Sequence, residues 1–445
     1  MSGLEGGGRR ALVVGLGLSG TSAALLLSAR GWEVVAIDSG RRSAPELISQ
    51  GVEVRAPWSE PVPGIDLVVK SPGVPGKSAP VASARAHGVP IWSEVELAAR
   101  ATKNPLLAIT GTNGKTTTTE LTAHLLRAGG LCARACGNQG TPVSGLVDEL
   151  EEGEWLVVET SSFQLEDIVE FHPRAAALLN VTPDHLDRHA DLAAYVASKL
   201  RIFENMTGDD LAIAPEGLEA TTAGAVVRRL SDGSGPGVAA WDAAGSLHLP
   251  ERGEVCRWSD VALRGAHNRQ NMMVAAALAA HAGVSSDHIA EGLASFPGVR
   301  HRLEECGVAR EVLFVNDSKA TNPAAAIAAL GAYGSDVRLI AGGRAKGTAF
   351  DELARAARRG VLSAYLIGEA AGDLEAAFGS EGVPAERCGD LPTAVASAVR
   401  AARAGEVILL APACASFDQF SSFEERGDAF CRLAARHGAV DPGGT

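Results

Sequence analysis

No apolar run in the 445 residues approaches the roughly 20 needed to cross a bilayer, so no membrane-spanning helix is expected. Met1 to Arg10 is Gly-rich and lacks the apolar core of a secretory signal. Positive charge is in deficit. The 40 Lys and Arg against 53 Asp and Glu leave a net charge of −13, which argues against a general nucleic-acid or anionic-membrane surface. A paired cysteine framework is also missing. Cys132 and Cys136 are not followed by the further ligands of a zinc pattern, so the seven cysteines are expected to be buried structural thiols in a reducing cytoplasm. Lysine is scarce: Lys70, Lys77, Lys103, Lys115, Lys199, Lys319 and Lys346 are seven of the 40 basic residues. Arg serves wherever a generic positive charge will do. Each surviving Lys is therefore a candidate for a task Arg cannot perform, as a compact phosphate-reaching ammonium or a modifiable amine.

What is present is an alternation of apolar strands and Ala-rich helices. Hydrophobic residues make up 46% and charged residues 21%, and 445 residues imply two or three domains with sizeable cores. A strand from Arg10 to Gly15 leads into a glycine loop, a helix from Thr21 to Arg30 and a second strand, Trp32 to Asp38. A new unit starts with the strand Leu106 to Thr110, then a helix from Thr117 to Ala128. Ser231 to Arg264 reads as short strands and turns, and a helix returns at Asn268 to Ala282. A third unit has strands near Val312, Val337, Ala364 and Glu406. The fold class is α/β. Three doubly wound domains are expected, with boundaries 1–98 (Rossmann-like), 99–297 (P-loop ATPase-like) and 298–445 (Rossmann-like).

The motifs fall at strand ends. Gly111-Thr-Asn-Gly-Lys115-Thr116-Thr117 follows an apolar strand and precedes a helix, as a phosphate loop requires. Backbone N–H groups cradle phosphate, Lys115 reaches it, and the Thr116 hydroxyl suits Mg²⁺. Ile109 stands where the strict pattern has Gly, so the loop is a variant. Glu159 ends an apolar strand, where a carboxylate can ligate a metal or simply cap the next helix. His185 lies among Asp184, Asp187 and Arg188, a crowding that suggests a site. Lys199, read from its surroundings alone, is an ordinary helix lysine. Gly15-Leu-Gly-Leu-Ser-Gly20 with Asp38 further on matches a dinucleotide fingerprint, and by itself would support an NAD-dependent dehydrogenase; the same loop can hold any nucleotide diphosphate. Asn268 and Asn271 share a helical face and could bond a base or ribose, with helix capping by Asn268 an equal alternative. Polar loops at Asn316–Pro323, Gly342–Gly347 and Ala411–Phe420 each follow a strand and could converge on one edge. Cys414, in the last of them, has no base beside it and reads as structural.

In this order and combination the motifs resemble the Mur ligases of bacterial peptidoglycan synthesis, over nearly the whole chain. Further carriers are Ser71-Pro-Gly73, Gly137-Asn138, Glu159 to Leu165, His301-Arg302 and Pro412 to Phe423. Within the family they resemble the branch that adds D-glutamate to UDP-N-acetylmuramoyl-L-alanine using ATP and two Mg²⁺ ions. The resemblance implies a cytoplasmic bacterial monomer that handles neither nucleic acid nor membrane. Gly111, Thr112, Asn113, Gly114, Lys115, Thr116, Thr117, Asn271, Arg302 and Asp317 would contact ATP. Thr116, Glu159, His185 and a carbamylated Lys199 would hold metal, with Lys115, His185 and Lys199 at the centre of catalysis. Ser19, Asp38, Ser71, Gly73 and Asn138 would face the UDP-sugar. Lys319, Thr321, Lys346, Ser416 and Phe423 would hold D-glutamate. Gln139 and Arg344-Ala345 depart from the family pattern, at positions where a small apolar and an acidic residue are more usual. A sibling ligase adding another amino acid, the dehydrogenase, and a nucleotide-sensing module without catalysis are the rival readings.

Overall fold

The computed structural model describes residues 4–40, 44–55, 63–185, 188–261, 263, 265–345, 347 and 349–440. Its contacts divide the chain into two compact units, Met1–Val261 with Gln270–Phe296, and Ala262–Arg269 with Pro297–Thr445.

The first unit contains two sheets. Strands β1 (Arg10–Val14), β2 (Glu33–Ile37), β3 (Glu53–Arg55), β4 (Leu67–Lys70) and β5 (Ile91–Ser93) form an all-parallel sheet in the order β3-β2-β1-β4-β5. Such a sheet is covered on both faces, which is why β1 and β4 read as continuous apolar runs. Strand order reverses between β1 and β4, and the crevice beyond their carboxyl ends is where doubly wound sheets bind ligands. The Gly15–Gly20 loop sits at that point. Gly20 packs so closely that an added Cβ would lie 1.8 Å from the Gly15 carbonyl oxygen.

The second sheet has strands β6 (Leu106–Thr110), β7 (Ala133–Gly137), β8 (Trp155–Glu159), β9 (Ala175–Leu178), β10 (Leu211–Ile213), β11 (Val227–Ser231), β12 (Val238–Ala243), β13 (Ser246–Leu249) and β14 (Gly253–Arg257). Their order is β14-β13-β12-β11-β10-β9-β6-β8-β7, so β6 lies between β8 and β9. From β7 to β12 the pairing is parallel; β13 and β14 are added as antiparallel hairpins. The Gly- and Pro-rich stretch after Ser231 thus forms short strands and turns, as its composition indicates, with Ala262 and Arg264 outside the described residues. Leu106, Ala108, Leu156, Val158, Ala176 and Leu178 close one core with Phe171 and Phe203.

The second unit is built on strands β15 (Glu304–Ala309), β16 (Val312–Asn316), β17 (Val337–Gly342), β18 (Val361–Ile367), β19 (Ala385–Gly389) and β20 (Val407–Leu410), in the order β15-β16-β20-β17-β18-β19. All pairs are parallel except the edge strand β15. Because Leu410 is in register with both Asn316 and Ile340, the polar loops after β16, β20 and β17 do leave one sheet edge side by side.

Helices start earlier than their composition suggests. They run from Leu18, Lys115 and Ala266, because the glycine before each start makes the turn and the next polar residues are already helical. Asn268 is therefore inside its helix, which removes it as a cap. The cysteines also differ from expectation. Cys306 on β15 and Cys431 on helix Phe423–Arg436 form a disulfide, while Cys132, Cys136, Cys256, Cys388 and Cys414 stay in the thiol form, with Cys132 exposed and not buried. A separation of 125 residues left no local spacing to read. No helix among the described residues is long and apolar enough to cross a membrane.

Phe378, fully buried on helix Ala371–Ser380, packs in the core of the second unit with Leu339, Leu366 and Leu374. Phe378→Ala should cost about 3–5 kcal/mol, read as a lower urea midpoint at unchanged slope.

Candidate active site

The phosphate-loop sequence owes its shape to two glycines. Gly111 has φ +153° and Gly114 φ +85°. A Cβ on Gly114 would meet Asn271 Oδ1 at 2.5 Å, and one on Gly111 would meet Leu179 Cβ at 3.1 Å. Ile109 is a fully buried residue of β6 paired to Glu159, so the loop begins only at Gly111 and the missing Gly at 109 belongs to the strand. Lys115 Nζ donates to the carbonyls of Gly111 (2.8 Å) and Thr112 (2.9 Å). The loop is braced from the segment that follows β9. Asn180 Oδ1 accepts from Asn113 N at 2.9 Å and Asn180 Nδ2 donates to Asn113 O at 3.0 Å. Thr112 Oγ1 lies 3.2 Å from the Tyr195 hydroxyl, and Thr117 is buried behind the loop.

Parallel pairing brings the acidic strand end to this loop. Glu159 closes β8 beside β6, is 2% exposed, and accepts from Thr116 Oγ1 at 2.7 Å and Asn138 Nδ2 at 2.9 Å. Asn138 arrives because Gly137, at φ +107°, lets its chain pass where a Cβ would lie 2.3 Å from the Glu159 carbonyl oxygen. Lys199 is not the exposed helix lysine its surroundings suggest. It is 1% exposed, and its Nζ donates to Gly111 O at 2.9 Å, the same carbonyl that Lys115 uses. Burial first, and the Lys115 charge second, push its pKa down to about 6. The Tyr195 ring lies 4.6 Å from that nitrogen. His185 is strained at φ +54° and stands edge-on to Phe163 at 5.1 Å.

At the first sheet the Asp38 carboxylate is engaged by the chain. It accepts from Leu16 N at 2.7 Å and Gly40 N at 2.8 Å. Ser71 Oγ donates to Gly15 O at 2.8 Å, Ser19 lies half-buried in the first helical turn, and Gly73 is exposed. The structure thus gathers Ser19, Asp38, Ser71 and Gly73 around one glycine loop.

In the second unit Asp317 is buried, accepts from Leu303 N at 3.3 Å, and has its pKa pushed up to about 7 by burial against the opposing pull of Arg302. Lys319 Nζ lies 4.9 Å from the Phe423 ring, and Thr321 N donates to Lys319 O at 2.8 Å. The Phe423 carbonyl accepts from Ser318 Oγ at 2.8 Å, and Ser416 is buried. Arg426, 1% exposed, ties these loops together through Ser318 Oγ (2.9 Å), Ser318 O (2.9 Å) and Cys414 O (3.2 Å). Lys346 lies outside the described residues. Arg344, one of the departures, pairs with Glu369 at 2.9 Å on the surface. Asn180, Tyr195 and Arg426 were not singled out from sequence. Asn180 follows β9 just before the crowded His185 stretch, Tyr195 stands on the helix of Lys199, and Arg426 carried no local signal in an Arg-rich chain.

Three domain models match in order: the Mur ligase MurD-like N-terminal domain over residues 9–93, the Mur ligase middle domain over 109–279, and the Mur ligase glutamate ligase domain over 301–414. The chain is 40% identical over 444 residues to the UDP-N-acetylmuramoylalanine--D-glutamate ligase of Pelotomaculum thermopropionicum, covering 95% of this chain and 96% of that one. It is 41% identical to the protein of the same name from Myxococcus xanthus, covering 96% and 98%. Among solved structures, UDP-N-acetylmuramate-alanine ligase of Thermotoga maritima shares the fold, at 20% identity and a TM-score of 0.59 over 96% of this chain and 99% of that one. With three consecutive domain matches and full-length relatives at this identity, the chain belongs to the Mur ligase family.

Proposed function

We propose that this protein is the ATP-dependent ligase that joins D-glutamate to UDP-N-acetylmuramoyl-L-alanine in peptidoglycan precursor synthesis, a bacterial cytoplasmic monomer with domains at 1–98, 99–297 and 298–445. The observation that carries the reading is the pair Lys115 and Lys199 on one glycine carbonyl beside the Thr116–Glu159 hydrogen bond. Relatives at about 40% identity bear the name of this reaction. The dehydrogenase reading leaves that second-sheet arrangement without a purpose.

In this reading the alanyl carboxylate of the UDP-sugar attacks the γ-phosphate of ATP. An acyl phosphate forms and ADP departs. The amine of D-glutamate then attacks the acyl carbon, an amide forms, and phosphate and a proton leave. Lys115, released from its own loop carbonyls by the phosphates, follows the transferring charge. The positive-φ glycine loop that leads directly into helix Lys115–Ala128 suits a polyphosphate. The donor set of hydroxyl and carboxylate oxygens suits Mg²⁺. Thr116, Glu159, His185 and a carbamylated Lys199 would hold two such ions, which when bound would neutralise charge on the phosphates. A neutral Lys199 amine can add to CO₂ and lose a proton, becoming an anionic oxygen ligand. Asn271, Arg302 and Asp317 would hold the nucleotide, and Asn138 with the residues around Gly15 the UDP-sugar. Lys319, Thr321, Lys346, Ser416 and Phe423 would bind D-glutamate.

Phosphate release should require ATP, UDP-N-acetylmuramoyl-L-alanine and D-glutamate together; equal release with L-alanine or diaminopimelate in place of D-glutamate would rule out the assignment. Lys115→Ala should lower kcat at least ~10²-fold in the same assay. Lys199→Ala should lose activity that added bicarbonate does not restore. It should also lose a carbamate carbon signal that the parent protein shows by NMR after growth on ¹³C-bicarbonate. Near-normal turnover of Lys199→Ala would refute the carbamate role.

A further inference from the structure

Lys70 remains without a role in this reading, although it is one of seven lysines and the end of β4. Its side chain is 0% exposed. It reaches Asp167 Oδ2 at 2.8 Å and Glu166 Oε2 at 3.4 Å, both on the segment that follows helix Ser162–Leu165 of the second sheet. Arg85 approaches Asp167 from the surface side at 3.4 Å. That segment is itself braced, since Arg201 donates to the carbonyls of Glu166 and Ile168. The residue after Lys70 is Ser71, whose hydroxyl is bonded to the Gly15 loop.

The other end of the same loop is held from the second sheet as well. The Arg188 guanidinium donates to the carbonyls of Pro72 (3.4 Å), Gly73 (3.3 Å) and Val74 (3.1 Å) while lying 4.4 Å over the Phe163 ring. Phe163 stacks on His189 at 5.2 Å and meets His185 edge-on at 5.1 Å. His189 in turn bonds Ser162 Oγ at 3.0 Å and stands 3.5 Å from Glu166 Oε1. The two grips are therefore joined into one circuit: Lys70, Glu166, His189, Phe163, Arg188 and back to the loop.

We propose that Lys70 and Arg188 are positioning residues that clasp the Ser71–Val74 loop to the segment bearing Glu159 and His185, and so fix where the UDP-sugar carboxylate meets ATP. This rests on the functional reading above. An apolar contact would join the two sheets at lower desolvation cost than a buried Lys–Asp pair. What the charged pair and the three carbonyl bonds add is direction, a fixed distance between one loop backbone and another. Phosphoryl transfer is sensitive to displacements of that scale.

The test compares full-length Lys70→Met, Arg188→Met and Arg188→Lys with the parent by phosphate release, with Tm recorded for each. Lys70→Met and Arg188→Met should raise KM for UDP-N-acetylmuramoyl-L-alanine about tenfold and lower kcat, with KM for ATP within about twofold. Arg188→Lys should recover only part of the loss, since a compact ammonium lacks the planar fork that spans the three carbonyls while lying on the Phe163 ring. Lys70→Met leaves the buried Asp167 with Arg85 alone and could fail to fold. Lys70→Met with Asp167→Asn removes both charges and should fold, yet keep the raised KM. Parent-like KM in that double variant would overturn the positioning role and leave Lys70 a stabilising residue. Equal rises in KM for ATP and the UDP-sugar would overturn it too. If the parent itself releases no phosphate, the functional reading fails and this role falls with it.

Discussion

The carbonyl oxygen of Gly111 accepts hydrogen bonds from two lysines, and much of the first unit is arranged to make that possible. Two ammonium groups on one acceptor repel, and one of them, Lys199, is fully removed from water. The protein meets this cost by letting Lys199 give up its proton readily, with its pKa pushed down to about 6. The remaining surroundings follow from that choice. Tyr195 offers its ring face to the nitrogen, Thr112 ties the Tyr195 hydroxyl to the loop, and Glu159 stands as the buried acceptor for Thr116. A neutral amine beside a fixed ammonium and a carboxylate is an expensive arrangement for stability alone, which is what makes it a candidate site for chemistry.

The second unit solves a similar problem with different parts. Asp317 is buried and has its pKa pushed up to about 7, so it sits near the border between neutral and charged. Arg426 carries a guanidinium into the interior, where burial lowers its pKa to about 10 and its partners include two carbonyls and a hydroxyl. Those bonds hold the loops after β16 and β20 in place. Loops are the mobile parts of such folds, and here their backbones are fixed from beneath by a side chain.

Local signals made the scaffold legible. Strand, glycine turn and helix recur in the order a parallel sheet demands, and the turns at Gly15, Gly111 and Gly114 need glycine for reasons visible within a few residues. The carboxyl ends of β16, β17 and β20 could be named as a shared edge because their loops carry polar residues after apolar strands. Lys199 could not be distinguished from a surface lysine, since its neighbours Ser198 and Arg201 say nothing of the strands that cover it. Arg188 stood in a crowded polar stretch and Lys70 among the scarce lysines, but their partners were hidden: what each touches lies about a hundred residues away in the chain. The Cys306–Cys431 pair was hidden for the same reason.

By itself the sequence determined which backbone turns are possible and where glycine-loop amides, scarce lysines and strand-end carboxylates occur, because these depend on φ, on periodicity and on side-chain type. Tertiary structure decided the protonation and partners of those groups. It set β6 between β8 and β9, so that Glu159 meets Thr116, and it closed the helix bearing Lys199 over Gly111. The physical reason is that burial and charge proximity are properties of the space around a residue, and in this chain that space is filled from distant segments.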